Sequence, residues 1–165
     1  AHMIYVTLGT MFMPFDRLVN AMDRIAASTG EEVIIQRGLS KIEPTRCEYF
    51  DFKAHDAVLE IQREARVIVA HAGIGATMDA LLVRKPLLLV PRLKRYDEHM
   101  NDHQLEIAKA MEQRGWGRMI LNVAELDGAC ATPPIPAESY TPAKAGLVNS
   151  LRGWVDHVAA GGGEA

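Results

Sequence analysis

From Ile4 to Ile120 short apolar runs alternate with stretches whose apolar residues recur every three or four positions. Ile4–Leu8 predicts a strand that runs straight into Gly9-Thr10. Phe15, Leu18, Val19, Met22, Ile25 and Ala26 then fall on one face of a helix, with Pro14 near its first turn and Gly30 at its end. Glu32–Gln36 predicts a second strand, followed by Arg37-Gly38, and Thr45–Phe50 a short third. Lys53–Glu64 reads as a helix with Ala57, Val58 and Ile61 inward. Val67–Ala70 and Leu87–Val90 are unbroken apolar runs, the pattern of strands buried on both faces of a parallel sheet. Between them lie a Gly-rich turn, His71–Ala76, and a short helix, Thr77–Leu82, ended by Lys85-Pro86. Pro91–Asn101 is a charged loop, Asp102–Arg114 a helix with Leu105, Ala108 and Met111 inward, and Trp116–Leu121 a last strand.

Strands alternating with helices predict an α/β fold, a Rossmann-like doubly wound parallel sheet over residues 3–131. Residues 132–141 form a Pro-rich linker, 142–158 a final helix with Leu147, Leu151, Trp154 and Val155 on one side, and 159–165 a mobile tail. Ala1-His2, ahead of Met3, reads as an expression scar.

The chain of 165 residues is long enough for one domain with a sizeable core. Its net charge of -3 leaves no broad basic field, which argues against nucleic acid as a partner. Cys47 and Cys130 form no CxxC pair, and the apolar runs are too short to span a bilayer. A reduced, cytoplasmic setting is therefore the expectation.

Parallel sheets bind ligands at the carboxyl ends of their strands. Gly73 and Gly75 remove side chains where the backbone turns into a helix, and the open N–H groups there favour an anion such as phosphate. A tight turn with no ligand satisfies the same pattern. Gly9-Thr10 occupies a second strand-to-helix turn, and His71 either orients its loop or touches the anion. Arg92, Lys94 and Arg95 form a basic cluster on the third loop. It suits a diphosphate, a uronic-acid carboxylate, anionic lipid or plain solvation. There is no Asp-x-Asp pair of the metal–diphosphate kind.

The run His71–Leu81, then Lys85-Pro86-Leu87, then Asn101-Asp102-His103-Gln104 before a helix, resembles the donor-binding half of GT-B glycosyltransferases. The likeness is to the family-28 C-terminal domain. Val6–Thr10 and the segment Pro91–Tyr96 running into Glu98-His99 resemble stand-alone versions of this half. These are the small subunits of dolichol-linked GlcNAc transferases and of bacterial capsular and exopolysaccharide glycosyltransferases. The resemblance implies a single GT-B half-domain binding a UDP-sugar without metal or cofactor. It implies diphosphate contacts at Gly9, Thr10, Gly73, Ile74, Gly75 and Ala76, ribose at Asp79, and uracil at Phe52. Donor-sugar contacts fall to Asn101, His103 and Gln104, while His71, Arg92, Lys94 and Arg95 stay the candidate anion contacts read from the residues themselves. It also implies a membrane-anchored, acceptor-binding partner that carries the catalytic base and recruits the chain to the cytoplasmic face of the membrane. The acceptor would be lipid-linked, in exopolysaccharide or capsule synthesis. A non-catalytic nucleotide-sugar-binding or scaffolding module is the alternative.

Overall fold

The computed structural model describes residues 3–137 and, beyond them, Gly153. Apart from Gly153, the expected final helix and the tail lie outside the described residues. Six parallel strands form one sheet: β1 (Met3–Thr7), β2 (Glu32–Gln36), β3 (Glu48–Phe50), β4 (Val67–Ala70), β5 (Leu87–Leu89) and β6 (Arg118–Met119), in the order β3-β2-β1-β4-β5-β6. Among residues 3–137 five helices accompany them: α1 (Asp16–Thr29), α2 (His55–Glu64), α3 (Ile74–Leu82), α4 (His103–Gln113) and α5 (Leu126–Ala131).

Successive strand residues face opposite sides of a sheet, and here both sides are covered. Ile4, Val6 and Leu8 pack with α1 and α5 in one cluster. Met3, Tyr5, Ile68 and Leu89 pack under α2, α3 and α4 in the other. This is why β1, β4 and β5 are buried along their whole length and show no inside–outside alternation, and each large aliphatic side chain so enclosed contributes about 1.5–3 kcal/mol. All six residues expected inward on α1 are buried, and Gly30 closes that helix in the left-handed region at φ 69°.

Several boundaries differ from expectation for identifiable reasons. The third strand begins at Glu48 rather than Thr45, because the Asp23 carboxylate accepts the amides of Thr45, Arg46 and Cys47 at 2.8, 2.8 and 3.2 Å. Those N–H groups are satisfied without a neighbouring strand. Although burial works against it, these donors hold the Asp23 carboxyl below its ordinary value. On α2 the inward line is Val58, Leu59 and Gln62, and Ala57 is exposed; a polar residue on the inward line had masked the phase. On α4 the buried line is Gln104, Ile107, Ala108 and Met111, with Leu105 half-buried. Helix α5 was not expected: six residues with Gly128 among them carry too little period to read.

The strand order reverses between β1 and β4. Their carboxyl ends diverge there, the loops after them leave on different sides, and a crevice opens at that edge.

Candidate functional site

The crevice is a cleft of about 550 Å³. Its walls come from the ends of β1 and β2, the loops after β1 and β4, the start of α3, and one face of α2. Gly9, Thr10, His71, Gly73, Ile74, Gly75, Ala76, Asp79 and Gln104 all line it.

Helix α3 begins at Ile74, three residues earlier than its apolar spacing predicts. Gly75 and Ala76 thus belong to its first turn. No side chain caps this end, and the first internal bonds are Thr77 N to Gly73 O at 3.1 Å and Thr77 Oγ1 to Gly73 O at 2.7 Å. The N–H groups of Ile74, Gly75 and Ala76 precede the helical ladder. They stand at the positive end of the helix dipole and open onto the cleft. An anion there gains about 0.3–1 kcal/mol from the dipole, and about 2 where water is partly excluded.

His71 is enclosed beneath this turn. A Cβ on Gly9 would lie 2.2 Å from its Nε2, and one on Gly73 would lie 2.1 Å from its Cε1. Both positions are glycine because the imidazole fills the space a side chain would need. Gly9 also adopts φ 71°, a left-handed conformation costly for other residues. Burial, reinforced by the charge of Arg92, pushes the His71 pKa down to about 3, so the ring is neutral at physiological pH. Its tautomer follows from its neighbours. Arg92 N donates to Gln104 Oε1 at 3.1 Å, which turns Gln104 Nε2 toward His71 Nδ1, 3.1 Å away. Nδ1 therefore accepts, and Nε2 carries the proton. The cleft is presented with a neutral imidazole N–H donor.

Asp79, one turn into α3, is partly exposed and holds His55 Nε2 at 3.0 Å through Oδ1. That hydrogen bond raises the His55 pKa above its ordinary value. The floor of the cleft is a polar relay: Tyr5 Oη donates to Gln36 Oε1 at 2.9 Å, Thr7 Oγ1 to the same oxygen at 3.2 Å, and Gly9 N to Thr7 Oγ1 at 3.2 Å. Gln36 directs its Nε2 donors away from these bonds. Tyr5, Thr7, Met11, Phe12, Gln36, Leu39, Val58 and Gln62 were not foreseen as lining residues. Strand parity carried the signal for three of them, since Tyr5 and Thr7 share a face and Gln36 is in register with Thr7.

Other expected contacts lie elsewhere. Arg92 is 1% exposed and outside the cleft lining; its Nη atoms donate to the carbonyls of Leu8, Met13 and Glu98, and its Nε is buried without a partner. Arg95 borders a separate hollow beside Arg17 and Tyr96. Lys94, on a single 3-10 turn, is exposed and outside the cleft lining. Asn101 Oδ1 accepts the His103 amide at 3.1 Å, and neither residue lines the cleft. Phe52 is 55% exposed in the loop before α2 and also stands outside it. The basic cluster of the sequence is thus divided between a buried strut and a solvated turn. Among the described residues no group of three His, Cys, Asp or Glu side chains is placed to hold a metal ion.

The family model of the glycosyltransferase family 28 C-terminal domain matches residues 3–129. The human UDP-N-acetylglucosamine transferase subunit ALG13 is 30% identical over an alignment of 123 residues that covers 68% of this chain and 10% of the human protein. The mouse protein of the same name is 32% identical over an alignment of 122 residues that covers 67% of this chain and 10% of that protein. The chain therefore spans about a tenth of the length of these relatives. Among solved structures, the glycotransferase of kitacinnamycin superposes with a TM-score of 0.62 at 20% identity, covering 99% of this chain and 40% of that one. The solution structure of ALG13 superposes with a TM-score of 0.57 at 19% identity, covering 88% and 94%. At these identities the likeness is one of fold.

Proposed function

The chain belongs to the glycosyltransferase family 28 C-terminal domain family, and from that premise we propose that it is the donor-binding subunit of a two-component glycosyltransferase. Its substrate is a UDP-sugar. The observation that carries this reading is the uncapped, glycine-bearing start of α3, which opens onto the cleft with Asp79 one turn further on.

In this reading the diphosphate lies against the N–H groups of Ile74, Gly75 and Ala76, with Gly9 and Thr10 on its other side. His71 Nε2–H donates to one of its oxygens. Asp79 accepts from the ribose hydroxyls, and Gln104 stands where the sugar leaves the diphosphate. The sugar's anomeric carbon breaks its bond to the diphosphate oxygen and bonds to the acceptor hydroxyl oxygen. The hydroxyl proton passes to a base on a second chain, and the bond's electron pair stays with the diphosphate. Donors already aimed at the leaving group stabilise its growing charge in the transition state. A neutral imidazole suits this task, since it donates without needing to be protonated first.

The partner is the acceptor-binding half, anchored at the membrane, and the acceptor is lipid-linked, in exopolysaccharide or capsule synthesis. One fact supports a partner. The human and mouse relatives are both named as subunits of a transferase. In this reading membrane attachment comes through the partner; no helix among the described residues is long and apolar enough to cross a membrane.

Calorimetric titration with UDP, UDP-GlcNAc, UDP-glucose, UDP-galactose, UDP-glucuronate and GDP tests the reading. Binding of UDP species in preference to GDP is expected, and their ranking identifies the donor sugar. Equal binding of GDP, or no UDP binding even with the partner present, overturns it.

A further inference from the structure

Arg92 is the largest fully enclosed side chain among the described residues. Its Nη2 donates to Leu8 O at 2.7 Å, and its Nη1 to Met13 O at 2.7 Å and Glu98 O at 3.1 Å. The guanidinium also lies 4.9 Å from the centre of the Phe15 ring. The carboxylate of Glu98 is committed elsewhere, to Arg17 and to Leu93 N. The charge of Arg92 is therefore met mainly by backbone carbonyls. A buried charge without its own ion pair is costly, which makes the geometry it enforces worth examining.

Leu8 and Met13 bracket the segment Gly9–Phe12, which walls the cleft and carries the left-handed Gly9. Arg92 grips both ends of that segment from the loop after β5. Its own amide sets Gln104, and Gln104 sets the tautomer of His71. We propose that Arg92 is the positioning residue of this edge: it fixes the Gly9–Phe12 segment over His71 and places an enclosed positive charge behind the anion site without touching the ligand. The ligand class, a diphosphate, rests on the function proposed above; the grip on the loop does not. The same charge contributes to keeping His71 neutral.

The variants are Arg92→Met and Arg92→Lys, with Arg66→Met as control. Arg66 also ties a backbone carbonyl, that of Cys130, and pairs with Glu31, but at the opposite edge of the sheet. Hydrogen exchange of residues 9–14 is measured on the ligand-free chain, His71 is titrated by NMR, and UDP affinity is measured by calorimetry. Arg92→Met is expected to speed exchange of the segment at least tenfold, raise the His71 titration point and weaken UDP at least tenfold. Arg92→Lys restores the charge but not the three-way fork, so it returns the His71 titration toward wild type while the segment stays fast. Arg66→Met moves none of the three. Unchanged exchange in Arg92→Met, or equal acceleration by Arg66→Met, overturns the proposal. If Arg92→Met does not fold, unchanged exchange in Arg92→Lys overturns it equally. Wild-type protein that fails to bind UDP refutes the function proposed above, and the exchange result then decides the grip by itself.

Discussion

The turn after β4 and the loop after β5 both leave carboxyl ends of buried strands, yet they do opposite things. The first has no cationic side chain among His71–Ala76 and opens its backbone donors onto the cleft. The second, Pro91–Asp102, carries three cations and gives the cleft none of them. Its Arg92 and Glu98 are turned inward, at 1% and 3% exposure. Arg17 reaches across to hold Glu98, Pro91 O and Leu121 O. In the function proposed above, anion affinity comes from oriented N–H groups at a helix start, while the buried Arg92 braces the neighbouring Leu8–Met13 segment and Lys94 and Arg95 stay solvated. Counting basic residues on a ligand edge therefore misleads unless their burial is known.

The largest expected effect comes from closing the space under the first loop. Gly73→Ala sets a methyl 2.1 Å from an imidazole that Gly9 confines from the other side. A stability loss of about 1–3 kcal/mol is expected from overpacking, together with loss of measurable UDP binding. Denaturant unfolding and calorimetry check the two separately. A stable Gly73→Ala that binds UDP normally would remove His71 and its glycines from the site.

Acidification tests the same loop without mutation. His71 is held neutral in the fold, at a pKa of about 3, but protonates near its ordinary 6.5 when unfolded. Below that value the unfolded chain binds more protons, so stability falls with pH. It is complete above about 6.5, declines by up to about 1.4 kcal/mol per pH unit toward 3, and levels off below. His71→Gln should flatten most of that slope in urea midpoints measured across this range. His99, whose pKa burial also lowers, leaves a smaller slope of the same sign.

Asp79→Ala ranks third. Its partner is the exposed His55, so stability should change by no more than about 0.5 kcal/mol. Loss of a charged acceptor for hydroxyls costs about 1.5–3 kcal/mol of affinity, which is about ten- to a hundredfold for UDP. Unchanged affinity in the folded variant takes Asp79 out of the site. The smallest effect belongs to the second loop. Lys94→Ala and Arg95→Ala should leave UDP affinity within about twofold, and a tenfold loss from either would reverse the comparison.

Much of this was legible in the sequence. Unbroken apolar runs at Val67–Ala70 and Leu87–Val90 predict strands covered on both faces, and the structure has them as adjacent interior strands, buried throughout. The Gly9 and Gly73 turns read as one ligand edge and do meet across the cleft. What stayed hidden depends on direction rather than residue type. Sequence does not say that Arg92 turns inward, that Asp23 takes the amides of Thr45–Cys47, or that Gln62 lies on the buried line of α2. The early start of α3 was masked because Gly75 and Ala76 offer little apolar period, although that early start is what brings their N–H groups to the cleft.

Backbone amide NMR of the chain titrated with UDP tests the central claim most directly. Shifts concentrated at Gly9, Thr10 and Gly73–Ala76, with Lys94–Tyr96 unmoved, are the predicted result. Shifts concentrated at Lys94–Tyr96, with the start of α3 unmoved, would contradict it.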